Sequence, residues 1–399
     1  MITPAQAEQA IRSHATLLPT EHRPLATLAN AVLREAVVSQ RDQPPYDRVT
    51  MDGIAFASAA ASRGQRTFRV AGTQAAGAPP LELPSEEACF EVMTGAMLPR
   101  GCDCVVPVER IVREGDLARL ADDVIPSPDL NVHTRGLDCR AGQPLLEPGT
   151  RLQAPEIAII ASAGIAQVQV TRSPRIAVIT TGDELVEPGE PVEAWQIYRS
   201  NAYAVLASLR ARGHADLTHQ HLPDDLAVLR TQLRAQLDAH DVLILSGGVS
   251  MGQFDYVPQV LAELGIAVVF HKIAQRPGKP MWYGVGAGGK TVYALPGNPV
   301  STLMCLVRYV LPGLEAAMGA TPAPVEAITL AEDFAVKPAV TLFLPVRLRP
   351  DEAGRASGEP RPTQGSGDFT SLAGTDGFVE LPPGPQVVPK GTVVPFYRW

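Results

Sequence analysis

The stretch Val242-Leu243-Ile244-Leu245-Ser246-Gly247-Gly248-Val249-Ser250-Met251-Gly252 decides the fold. Four consecutive apolar residues read as a buried strand. The three glycines and two serines at its end read as a loop. The next apolar run, residues 257–264 closed by Gly265, reads as a helix. The same alternation extends both ways. Upstream, residues 176–179 form a solid apolar run, followed by helices predicted over 200–212 and 224–239. The second of these carries Leu226, Leu229, Leu233 and Leu237 near helical spacing. Downstream, residues 267–270 and 291–295 read as strands and 299–310 as a helix. Strand alternating with helix predicts a doubly wound, parallel α/β sheet with helices on both faces, over residues 174–320.

The flanking sequence has a different texture. Residues 3–16 read as a short amphipathic helix with Thr3 as N-cap and Pro4 at the first helical position. Residues 25–33 read as a strand or short helix, broken by Gln43-Pro44-Pro45. From 47 to 136, short apolar runs (68–71, 89–93, 104–108) lie between Gly and Pro, which predicts a β-rich module. A helix over 154–163 has Pro155 near its start and Gly164 just past its end. After Pro322, strands are predicted over 328–336, 341–348, 377–381 and 392–397, with 350–362 as a charged, exposed loop.

Composition narrows the class. The chain has 399 residues, 45% hydrophobic and 19% charged, which is globular rather than disordered. Its 34 glycines and 37 prolines follow no three-residue period, so collagen is excluded. A net charge of -8 argues against a duplex nucleic-acid footprint but leaves room for local anion pockets. Five cysteines without C-x-x-C make neither a disulfide framework nor a zinc ribbon. Cys102 and Cys104 read as two half-buried thiols on one strand face. Glu8, Arg12 and His14 stand where a secretory signal would be apolar, and the most apolar stretch, near 157–165, is too short to span a bilayer. These features predict a cytoplasmic protein without a membrane segment.

In a doubly wound sheet, ligands bind beyond the carboxyl ends of the strands. Three loops fall there: Thr180-Thr181-Gly182-Asp183-Glu184, the glycine loop, and Pro296-Gly297-Asn298-Pro299-Val300-Ser301. Small residues let backbone amides approach a bulky anion. The glycine loop has neither P-loop nor dinucleotide-motif spacing, so alone it is equally a plain strand-to-helix turn. Lys272, Arg276 and Lys279 lie within eight residues near this edge and suit a small dianion. Glu184, Asp224 and Asp255 share the edge; carboxylates beside phosphate oxygens require Mg²⁺ between them. His219 and His221 form H-x-H without an accompanying carboxylate triad and read, with His271, as packing residues.

Several long motifs in order resemble one family, the molybdopterin molybdotransferases, related to the gephyrin E domain. They are Met51-Asp52-Gly53, Met93-Thr94-Gly95-Ala96-Met97-Leu98-Pro99, Arg135-Gly136-Leu137-Asp138, Thr181-Gly182-Asp183-Glu184, Ser246-Gly247-Gly248-Val249-Ser250, Pro277-Gly278-Lys279-Pro280 and Leu295-Pro296-Gly297-Asn298-Pro299. The resemblance implies an elongated domain (1–46 plus 137–173), an inserted β-rich domain (47–136), a molybdopterin-binding α/β domain (174–320) and a C-terminal β-barrel-like domain (321–399). It implies insertion of molybdate into adenylated molybdopterin with release of AMP, Mg²⁺ dependence, a homodimer with a shared active site, and contacts with other molybdenum cofactor biosynthesis proteins. By residue, it implies catalytic roles for Asp52, Thr94, Asp138, Glu184, Asp224, Asp255 and Lys272, with Glu184, Asp255 and Asp52 holding the metal. Thr181, Gly182, Ser246, Gly247, Gly248, Val249, Ser250, Pro296, Gly297 and Asn298 would bind the pterin nucleotide. Arg276, Lys279, Ser301, Arg347 and Ser366 would receive the oxyanion.

The chain departs from the family pattern at Tyr198-Arg199-Ser200-Asn201, where an acid is usual in place of Arg199, at His219-Gln220-His221, and at Arg276, where a lysine is usual. Two alternatives remain at this level: an adenylyltransferase on the same α/β fold, and a scaffold without catalysis.

Overall fold

The computed structural model describes residues 1–248 and 256–399. The chain divides into two compact units. One comprises residues 1–35, 148–157 and 167–399, and the other residues 36–147 and 158–166.

The smaller unit is built on a six-stranded sheet in the order Cys104–Pro107, Gly53–Phe56, Ala88–Val92, Thr67–Gln74, Leu117–Leu120, Ile111–Glu114. Only Thr67–Gln74 and Ala88–Val92 pair in parallel. Gly53–Phe56 is buried along its whole length because both sheet faces are covered. Ile54 and Phe56 join Phe68 and Cys104 on one side; Ala55 joins Val49, Phe90 and Val105 on the other. A Cβ on Gly53 would stand 2.0 Å from the Val106 carbonyl oxygen, so only glycine can hold that register. The C-x-C expectation needs correcting. Both residues are buried, and they enter different clusters, Cys104 with Phe56 and Cys102 with Phe90. The Cys102 amide closes a turn onto Pro99 before the strand begins, so the two residues do not share a strand face.

In the larger unit, the first helix, Pro4–His14, starts as expected. The Thr3 hydroxyl accepts from the Gln6 amide (3.2 Å), and the Gln6 side chain accepts from the Thr3 amide (2.9 Å). Ala7 and Ile11 bury the helix against the central sheet's cluster.

The central sheet has six strands: β1 (Ile176–Thr181), β2 (Leu217–Leu222), β3 (Val242–Ser246), β4 (Ala267–His271), β5 (Trp282–Val285) and β6 (Thr291–Leu295), in the order β2-β1-β3-β6-β5-β4. β2, β1, β3 and β6 are parallel, as expected. A strand the sequence did not announce, β5, runs antiparallel to both its neighbours, β4 and β6. Five residues connect β5 to β6, enough for a hairpin and too few for a crossover helix. Side chains alternate between two cores. Ile176 and Val178 pack with Ala202, Val205 and Leu209 of α1 (Ser200–Ala211). Ala177 and Ile179 pack with Leu229, Leu233 and Leu237 of α2 (Leu226–Ala239) and with Val257, Val260 and Leu261 of α3 (Val257–Glu263). Helices therefore cover both faces.

The helix predicted over 299–310 continues much further, as Pro299–Cys305, a π-helical turn Leu306–Val310, and Leu311–Met318. This run is long and apolar enough to cross a membrane, yet it is mostly buried inside the protein, as a core helix is.

The C-terminal part is a closed five-stranded barrel formed by β7 (Glu326–Leu330), β8 (Thr341–Pro350), β9 (Ala356–Pro360), β10 (Gly377–Leu381) and β11 (Val393–Arg398). The ring closes through the pairings β8–β9, β9–β7, β7–β11, β11–β10 and β10–β8. Two expectations change. The run 328–336 is two strands, β7 and Phe334–Val336. The loop expected over 350–362 contains β9, whose Ser357, Gly358 and Pro360 are buried. Closure explains β9, because without it β7 and β8 would each present an open edge.

Candidate functional site

A cavity of about 570 Å³ opens at the carboxyl ends of β1, β3 and β6, where a doubly wound sheet places its ligands. Its wall brings together ten of the residues expected there. Thr181 ends β1 and Gly182 and Glu184 follow it, Asp224 follows β2, Ser246 ends β3 and Gly247 and Gly248 follow it, and Pro296, Gly297 and Asn298 follow β6. Gly247 has a φ of +104°, and a Cβ there would stand 2.7 Å from the Thr181 carbonyl oxygen. The turn must be glycine for two strand ends to approach this closely. Val249, Ser250 and Asp255 lie outside the described residues.

A residue the sequence reading quoted but did not assign organises the cavity. Asn201, in the first turn of α1, donates its Nδ2 to Ser246 Oγ (2.9 Å) and to the Gly297 carbonyl (2.7 Å). It thereby ties the turns after β3 and β6 to one helix. Asn201 Oδ1 and Thr181 Oγ1 are buried without a partner, and Thr181 is only 4% exposed. Buried polar atoms are nearly always hydrogen-bonded, so two orphans on one cavity wall mark places for ligand or water atoms. Ser366 stands beside the cavity residue Gly367 and accepts from Asn298 Nδ2 (2.8 Å).

The expected cations are placed apart from this wall. Lys272, Arg276 and Lys279 belong to the turn between β4 and β5, of which Pro280 reaches the cavity lining. Lys272 has a positive φ of +76°, and its amide donates to Met281. Gln275–Arg276 forms a short strand parallel to Thr341 and Leu342 of β8. Ser301 is buried within the helix after β6, and Arg347 lies exposed on β8 opposite Glu359.

In the smaller unit the expected acids form their own local network. Asp52 Oδ1 accepts from both the hydroxyl and the amide of Thr94, each at 2.7 Å. The Thr94 hydroxyl and then its amide hold the Asp52 carboxyl below the usual aspartate range. Asp138 accepts from His133 Nε2 at 2.8 Å. No group of three metal-ligating side chains occurs among the described residues.

Three family descriptions match in succession: "MoeA N-terminal region (domain I and II)" over residues 2–164, "Probable molybdopterin binding domain" over 177–316 and "MoeA C-terminal region (domain IV)" over 327–399. A protein of Synechocystis named molybdopterin molybdenumtransferase is 41% identical over 401 aligned positions, covering 100% of both chains. The chain belongs to the molybdopterin molybdenumtransferase family. A Haemophilus influenzae protein of the same name is 35% identical over 73% of this chain and 72% of its own. Among solved structures, a molybdopterin biosynthesis MoeA protein from Pyrococcus horikoshii aligns with a TM-score of 0.79 at 30% identity, covering 100% of this chain and 99% of that one. A second structure from the same organism gives 0.84 at 24% identity, covering 100% of both chains, a likeness of fold.

Two of the three departures noted in the sequence lie close together in this chain, while Arg276 lies apart in the turn between β4 and β5. Arg199 lines the cavity at the start of α1. His219 and His221 sit on the neighbouring edge strand, opposite Val178 and Thr180, and His221 Nδ1 lies 3.2 Å from Thr180 Oγ1. Burial, and then the Arg199 guanidinium, holds both imidazoles below the ordinary histidine range.

Proposed function

We propose that this chain inserts molybdenum into molybdopterin, taking molybdate and adenylated molybdopterin and releasing AMP. The observation that supports this best is the cavity, where glycine turns after β1, β3 and β6 meet two carboxylates, Glu184 and Asp224. Such turns offer backbone amides to phosphate oxygens. Carboxylates beside phosphates fit a magnesium ion, which takes one or two protein oxygens and completes its shell with water and substrate. Glu184 and Asp224 would hold it, with Asp255 following in sequence and Asp52 brought by a second copy. When bound, the ion would screen the phosphate charges and polarise the bond to be broken.

The chain's own groups do the remainder. Gly247 and Gly248 admit the phosphates close to the backbone. Asn201 fixes the turns after β3 and β6 relative to each other, so the ligand meets a preformed surface. The Lys272, Arg276 and Lys279 turn attracts the molybdate dianion. Two copies of the chain assemble, and the Asp52–Thr94 pair of one serves the cavity of the other.

Purified protein given adenylated molybdopterin, molybdate and Mg²⁺ is expected to release AMP in step with active cofactor. Omission of Mg²⁺ should leave the adenylate intact. Glu184→Gln should lower AMP release by roughly a hundredfold or more, since several kcal/mol of charge stabilisation are at stake, while the melting temperature stays put. Consumption of ATP with formation of the adenylate would instead mark an adenylyltransferase, and neither activity would leave a scaffold. Mixing Asp52→Ala with Glu184→Gln chains tests the shared site, with partial recovery of AMP release expected.

A further inference from the structure

Among the described residues, the cavity wall carries three charged side chains: Glu184, Asp224 and Arg199. Two are acids, so Arg199 supplies the only described positive charge there. Its guanidinium is unusually placed. Nη2 lies 2.6 Å from Glu187 Oε2, and the side chain is only 16% exposed. Nε, on the same edge of the guanidinium, is buried and has no partner among the described residues. A carboxylate that engaged this edge fully would take both Nε and Nη2. Glu187 does not, and it also accepts from the Tyr203 hydroxyl. Close by, His219 Nε2 is likewise buried without a partner. Burial, and then the Arg199 guanidinium, disfavours the protonated form of His219 and His221.

A desolvated guanidinium with a spare N–H on a cavity wall calls for an anionic acceptor. Thr181 Oγ1 and Asn201 Oδ1, on residues of the same wall, are likewise buried without a partner among the described residues. An oxyanion suits a positively charged donor best. Within the functional reading above, on which this inference rests, two tetrahedral oxyanions are available, the phosphoryl group of the nucleotide and molybdate itself. The glycine turns after β3 and β6 belong to the same wall, and they favour the phosphoryl group.

We infer that Arg199 is a substrate-binding residue, whose free Nε–H takes a phosphoryl oxygen of the pterin nucleotide while Nη2 stays anchored on Glu187. An arginine at this position thus gives the chain a phosphate contact where the resembling family usually carries an acid.

The test uses the full-length protein, with AMP and sodium molybdate as separate probes in titration calorimetry. Arg199→Gln should weaken AMP by about tenfold or more and leave molybdate within about twofold. Arg199→Lys should recover only part of the loss, because an ammonium has no side-on edge. Glu187→Gln removes the anchoring acid but keeps the guanidinium, so AMP should bind at least as tightly as to the wild type. An Arg199→Gln protein that binds AMP as well as the wild type overturns the inference. So does a loss confined to molybdate, or an equal loss of AMP in Glu187→Gln, which would make the pair merely structural. Failure of the wild type to bind AMP also overturns it. If the wild type binds AMP through Arg199 yet makes no cofactor from molybdate, the functional reading falls and the contact stands.

Discussion

Two arginines in the larger unit show what separates a structural charge from one held for a ligand. Arg308 sits in the π-helical turn with a side chain 5% exposed. Nη1 donates to Glu8 Oε2 at 2.6 Å and Nε to Glu380 Oε2 at 2.9 Å, and the guanidinium lies 4.8 Å from the centre of the Tyr397 ring. It joins the first helix, the core helix and the barrel strand β10. Arg199 is nearly as buried but has one acid partner and an empty Nε. The first network is closed and the second has a place left over. Closure marks an interaction whose function is the fold itself, and an open place marks one completed by something that comes and goes.

Arg308→Ala should break the closed network most severely, since it leaves Glu8 and Glu380 without their shared counter-ion. Denaturant unfolding should show a loss of about 3–5 kcal/mol, with AMP affinity unchanged in the protein that remains folded. If Arg308→Ala costs no more stability than Arg199→Gln, the contrast between the two sites is false.

A buried base with no acid at all sharpens the comparison. His214 is 5% exposed, and burial, then Arg151 and Arg212, push its pKa down to about 4. It is neutral in the folded chain and protonates readily once unfolded. Its contribution is therefore complete above about pH 6.5, the unfolded value, and drains away as pH falls toward 4. At roughly 1.4 kcal/mol per pKa unit, up to about 3 kcal/mol should disappear across that window. Unfolding free energies measured from pH 7 to 4 should fall less steeply for His214→Leu; parallel curves would remove His214 from the account.

The smallest expected stability effect lies at the open site. Thr181→Val deletes an unpartnered hydroxyl and keeps the shape, so the melting temperature should hold or rise slightly. Turnover should drop severalfold if the hydroxyl meets substrate. A stability loss above about 1 kcal/mol would mean Thr181 already has its partner within the fold.

The parallel strands and most of the cavity wall were legible because they rest on local signals. Val242–Ser246 is a run of apolar residues ending in a small one, Thr181 and Ser246 end their strands, and Asn298 lies three residues past the end of its own. Elements whose cause is distant were hidden. Ala356–Pro360 has no apolar period and is a strand because the barrel must close. Trp282–Val285 is interrupted by Gly284, and its pairing on both sides defines it. The helix predicted over 299–310 runs on through Pro312 and Gly313 to Met318. In the structure Pro312 occupies a first-turn position after the π-helical turn, and a Cβ on Gly313 would stand 2.0 Å from the Tyr293 hydroxyl. Arg199 was visible as an oddity, but its meaning lies in which of its nitrogens lacks a partner, and no sequence displays that.

All five cysteines are buried and unpaired, and burial pushes the Cys89, Cys102 and Cys305 thiols up to about 12. Thiolates attack alkylating reagents and thiols do not, so the native chain offers little for maleimide dyes to react with. A cysteine introduced on the surface would then be labelled selectively without first replacing the native ones. Placed at the exposed Glu193, just before the cavity residues Ile197 and Tyr198, a single environment-sensitive dye would turn ligand entry into an optical signal.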